Sequence, residues 1–133
     1  MFDEARFALA LDELAEVQLS RGESVMLRAL GQSMRPSIRH GDRVVLVRRA
    51  PRWLDIVWVQ QNGAESLHRV VLRVGSRLWL KGDALPLTDG FVEVDAVKAC
   101  VVLVERDGRR FVPRRLTALP RSLLRGALGL IWR

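Results

Sequence analysis

The sequence predicts a mainly β chain, a coiled, barrel-like antiparallel sheet with a short amphipathic helix at each end. Three observations point there. From Ser24 onward, short runs rich in Val and Leu follow one another, the separators between them carry Gly, Pro, Asn and Asp, and no helical stretch lies between runs as a parallel α/β sheet would require. The 133 residues suit one domain, read as a helix in 1–23, a β region in 24–115 and a basic, apolar helix in 116–133.

The first helix is expected over residues 3–20. It places Phe7, Leu11, Leu14 and Gln18 on one stripe with Ala10 and Val17 beside it, Asp3 and Glu4 at the positive N-terminal end, and Arg21-Gly22 as the stop. Strands are expected in 24–30 (SVMLRAL), 42–49 (DRVVLVRR), 55–60 (DIVWVQ), 65–74 (ESLHRVVLRV), 77–82 (RLWLKG), 92–106 (VEVDAVKACVVLVER) and 109–113 (RRFVP). Asn62-Gly63 and Asp107-Gly108 are two-residue hairpin signals. The last helix, 116–133, interleaves Leu123, Leu124, Ala127, Leu128 and Ile131 with Arg121, Arg125 and Arg133.

With 49% hydrophobic and 28% charged residues, the composition excludes wholesale disorder, a collagen-like repeat and a multi-span membrane protein. No uncharged apolar run approaches the ~20 residues that cross a bilayer, and the first residues carry acids where a secretory signal carries bases. A cytoplasmic chain, at most peripheral on a membrane, is the expectation. The net charge of +7 is uneven: residues 1–24 hold six acids and two bases, residues 106–133 eight bases and one acid. A basic, apolar segment such as 120–133 suits an anionic membrane surface, and packing of its leucines on the β region is the plainer alternative. Cys100, the single cysteine, sits in an apolar run and reads as a core thiol.

Chemistry is sought where polar residues interrupt this pattern. In residues 31–36 (GQSMRP), Gly31 permits a tight turn, Ser33 can project from it, and Pro36 extends the residue before it. That suits a nucleophile, and equally an ordinary turn serine. Of the two histidines, His40 stands in a polar turn that explains it without function, while His68 lies among Leu67, Val70 and Val71. A neutral imidazole can take a serine proton near neutral pH. A third group is Lys81-Gly82-Asp83 with Asp89 six residues on, and either acid could orient an imidazole or simply shape the turn.

Taken in order, Gly31-Gln32-Ser33-Met34-Arg35-Pro36, Gly41-Asp42 with its Val-rich strand, Asp55-Ile56-Val57, His68-Arg69-Val70-Val71 and Lys81-Gly82-Asp83-Ala84 with Asp89 resemble the signal peptidase clan of serine peptidases. The likeness spans about residues 25–105 and is to the Ser-His branch, the endoplasmic-reticulum, archaeal and spore-former type, in a short form without a transmembrane helix. It implies Ser33 as nucleophile and His68 as general base, with Asp89 completing the triad ahead of Asp83, which belongs to the LysGlyAsp signature. Gly31, Gln32, Met34 and Pro36 would border the oxyanion and substrate site. Gly31 stands where many relatives carry a serine, so the Ser33 N–H would need another donor, such as the Gln32 side chain. The resemblance further implies a peptide or protein substrate bound as an extended strand, small residues before the cleaved bond, no cofactor and no metal.

The alternative reading is a catalytically degenerate binding module whose Arg-rich tail contacts membrane or nucleic acid. Nucleic acid is not the expected partner, because Tyr is absent and Trp53, Trp58, Trp79 and Trp132 do not alternate with bases. A self-cleaving repressor is not the expectation, with few residues before the first strand and histidine at the dyad position. One cysteine and two histidines form no zinc pattern.

Overall fold

The computed structural model describes residues 12–61, 63–88 and 90–113. The molecule is mainly β, an antiparallel sheet curled into a half-barrel. The expected helix 116–133 and the first part of the helix expected over 3–20 lie outside the described residues.

Helix α1 (Asp12–Ser20) ends in paired backbone bonds, Gly22 N–H to Leu19 O and Glu23 N–H to Gln18 O, with Gly22 at φ 78°. That is the left-handed stop the Arg21-Gly22 signal anticipates. Its buried face differs from the expected stripe. Ala15 and Leu19, four residues apart, enter the core, while Leu14 and Val17 are exposed.

Eight strands follow: β1 (Val25–Arg28), β2 (Arg43–Val47), β3 (Ile56–Gln61), β4 (Ala64–Val74), β5 (Arg77–Lys81), β6 (Phe91–Glu93), β7 (Val97–Arg106) and β8 (Arg109–Phe111). The long run expected over 92–106 is two strands, β6 and β7, parted by a 3-10 turn at Val94–Ala96. One strand could not serve both places, because β6 pairs with β5 at the sheet edge whereas β7 lies between β2 and β3. In the β7–β8 hairpin Asp107 (φ 52°) and Gly108 (φ 77°) both take positive φ, as a primed turn needs.

The strand order is β1-β2-β7-β3-β4-β5-β6, with β8 also on β7. Register breaks at Val45/Leu46, Trp58/Val59 and Val70/Leu72 bend the strands and curl the sheet. Both faces of the central strands are buried. Ile56, Trp58 and Leu67 join a first cluster with Ala15, Leu19, Met34 and Ile38, while Val57, Val59, Val70, Leu80 and Cys100 form a second. Burial on both faces explains why β3 reads as an unbroken apolar run rather than an alternation. No helix among the described residues is long and apolar enough to cross a membrane.

Candidate active site

The loop carrying Ser33 leaves β1 and returns to β2, and its neck is closed by backbone bonds. Ala29 N–H donates to Asp42 O and Gly41 N–H to Ala29 O, both at 2.7 Å. Within it Gly31, at φ 100°, turns the chain, and its N–H donates to His40 Nδ1 at 3.0 Å. That amide is therefore engaged with His40. Met34 and Ile38 sink into the first core cluster, and Ile38 N–H donates to Met34 O at 3.0 Å. Met34 is thus an anchor of the turn, while Gln32 and Pro36 remain exposed, the latter after a cis peptide bond from Arg35. Ser33 lies between anchored and exposed residues, itself 8% exposed.

What seats this turn against the sheet is a glycine. A Cβ built on Gly82 would lie 2.7 Å from Ser33 O, closer than real side chains come to backbone. The next bond along, Ala84 N–H to Ser33 O at 2.8 Å, holds the serine turn against the end of β5. On β4, Arg69 pairs with Lys81, the residue before Gly82. His68 is buried and pairs on its other side with Val57, a member of the second cluster. The Ser33 carbonyl thus lies against the residue that follows Lys81, the β5 partner of His68's neighbour Arg69. A hydroxyl and an imidazole are among the residue types that nucleophilic acyl transfer uses.

Asp83 has another occupation. Arg69 Nε and Nη2 donate to its two carboxylate oxygens at 2.8 and 2.9 Å, and the two side chains are 0% and 1% exposed. Arg69 also reaches Leu54 O at 2.9 Å and Ser37 Oγ at 3.2 Å. A buried charge pair is tolerated when, as here, further hydrogen bonds satisfy it. Asp83 therefore joins β4 and β5 to the serine loop. Asp89, the other candidate acid, lies outside the described residues.

Lys81 is buried and donates to Gly82 O at 3.2 Å. Burial alone would lower the Lys98 ammonium, but hydrogen bonds and charge from Glu16 and Glu65 outweigh it and leave the pKa raised. Cys100 is fully buried; desolvation pushes its thiol up to about 11, with the Asp55 carboxylate adding to the shift. Among the described residues no three His, Cys, Asp or Glu side chains gather as metal ligands.

No protein-family profile matches the chain, and no curated protein does.

Three participants escape a reading of the sequence. Arg69 looks like one of twenty arginines, and its pairing with Asp83 across fourteen positions depends on strand register. Gly82 looks like a turn residue until the Ser33 carbonyl is seen against it. His40 reads as solvated, yet its ring accepts the Gly31 amide. The adjacency of HisArg and GlyAsp in strands that turn out to be neighbours is the one signal that could have suggested the first.

Proposed function

We propose that this chain is a serine endopeptidase of the signal-peptidase type, cleaving a peptide or protein precursor held in extended form. One observation supports the reading: Gly82, which admits no Cβ beneath the Ser33 carbonyl, directly follows Lys81, and Lys81 pairs on β4 with Arg69, the residue next to His68. Ser33 Oγ attacks the peptide carbonyl carbon while its proton passes to His68. The C–N bond breaks, His68 gives that proton to the leaving amine, and water then hydrolyses the acyl-enzyme by the reverse proton transfers. Asp89 orients the imidazole, since Arg69 holds both oxygens of Asp83. The Ser33 N–H and the exposed Gln32 side chain supply the oxyanion donors, Gly31 being bound to His40. The chemistry calls for no cofactor.

A fluorophosphonate probe followed by peptide mapping tests this. Label is expected on Ser33, and Ser33→Ala and His68→Ala should each abolish it without loss of fold. A folded wild-type chain that takes no label at Ser33 would instead be a binding module. Residues 120–133, outside the described residues, either pack on the β region or contact anionic membranes, and cosedimentation of the full chain with anionic but not neutral vesicles would favour the second.

A further inference from the structure

Behind the serine loop, a different group of residues makes an open cavity of about 490 Å³. Its floor is a row across the sheet: Arg28 on β1 lies opposite Arg43 on β2, and Arg43 lies opposite Glu105 on β7. Like charges directly opposite one another destabilise a strand pair. Glu105 relieves only one side of that row, 3.7 Å from Arg43 and 3.1 Å from Arg110, and no acid of the described residues pairs with Arg28. Arg39 and His40 form the rim. Because His40 Nδ1 accepts the Gly31 N–H, the neutral ring carries its proton on Nε2, a second donor on a residue of that rim. The Arg39 and Arg106 wall continues into a second hollow of about 680 Å³ beside Arg109 and Phe111.

We infer that this cavity is a carboxylate-binding site for an acidic segment of a peptide, the substrate's own if the peptidase reading on which this extension rests is correct. An anion between Arg28 and Arg43 removes their repulsion, and an arginine fork takes a carboxylate in two parallel hydrogen bonds. A peptide fits better than a nucleic acid. Phe111, beside the second hollow, already lies under Arg106, ring centroid 5.1 Å from the guanidinium carbon, so that face is not open for a base to stack on. The cavity shares residues 39–42 with the return of the loop that carries Ser33, and the Gly31 N–H bond to His40 joins the two.

The test is fluorescence anisotropy of a short labelled Glu-rich peptide, its Gln counterpart and a single-stranded oligonucleotide, each titrated with full-length Ser33→Ala protein so that nothing is cleaved. The Glu peptide should bind and weaken as salt rises. The Gln peptide should bind about tenfold or more weakly, and Arg28→Gln with Arg43→Gln, both exposed positions, should cost the Glu peptide a similar factor. Equal affinity for the Gln peptide, no loss in the double variant, or tighter binding of the oligonucleotide overturns the assignment. Probe labelling of Ser33 in the wild type is read separately: label without acid-dependent binding removes the cavity's role alone, and acid-dependent binding without label removes the peptidase reading alone.

Discussion

Two arginine–aspartate pairs hold the serine loop from opposite sides, and they differ in one physical respect. Arg69 with Asp83 is sealed from solvent, at 0% and 1% side-chain exposure, whereas Arg106 with Asp42 stands at 22% and 5%. Both reach Ser37, Arg69 through the hydroxyl and Arg106 through the carbonyl at 3.5 Å. The chemistry is nearly the same, but the surroundings set its worth. Removal of one sealed partner strands an uncompensated charge, whereas Arg106 stands nearer to water and its buried partner Asp42 keeps a second donor, the Arg39 N–H. The sealed pair joins β4, β5 and the loop; the other braces the loop's neck beside the open cavity that Arg39 and His40 line.

The largest expected effect breaks the sealed pair. Asp83→Asn should cost about 3–5 kcal/mol in urea denaturation, and Arg69→Met combined with Asp83→Leu should cost less than Asp83→Asn alone, because no charge is then left buried. A double variant worse than the single one would mean that the hydrogen bonds to Ser37 and Leu54, not the charge, dominate.

The dryness of the interior can be read without touching either pair. The Cys100 thiol is raised from 9.0 to about 11. Between those values the unfolded chain loses a proton that the native chain keeps, so stability should be whole below pH 9 and fall as pH climbs toward 11, by roughly 2–3 kcal/mol in all. Cys100→Ala should flatten that part of the profile, and native protein should resist alkylation at pH 8.

Gly82→Ala comes next. The methyl would meet the Ser33 carbonyl at 2.7 Å, for a stability cost of about 1–3 kcal/mol and a much larger loss of fluorophosphonate labelling, since the serine is displaced. Labelling that survives intact would show that Ser33 is positioned by other contacts. A loss smaller than that of Asp83→Asn is expected of Arg106→Gln, because Asp42 keeps the Arg39 N–H at 2.8 Å. A loss equal to that of Asp83→Asn would erase the distinction between the two pairs.

Much of this architecture is legible in the residues alone. The Val- and Leu-rich runs, the Asn62-Gly63 and Asp107-Gly108 turns and the Arg21-Gly22 helix stop are local signals, written in side-chain branching and in the freedom of glycine at positive φ, and they mark every strand to within a residue or two apart from the β6–β7 break. The motifs around Ser33, His68 and Lys81-Gly82-Asp83 are likewise visible as departures from the apolar pattern. Which residues of α1 face inward, where the run over 92–106 divides, and what the polar residues touch were decided by tertiary structure, because each depends on register between segments far apart in the chain. A strand arginine can point to either face, and only the pairing of β4 with β5 buries Arg69 on Asp83. A glycine in a turn can be there for its φ, and only the approach of the Ser33 carbonyl shows that Gly82 is there for the space it leaves.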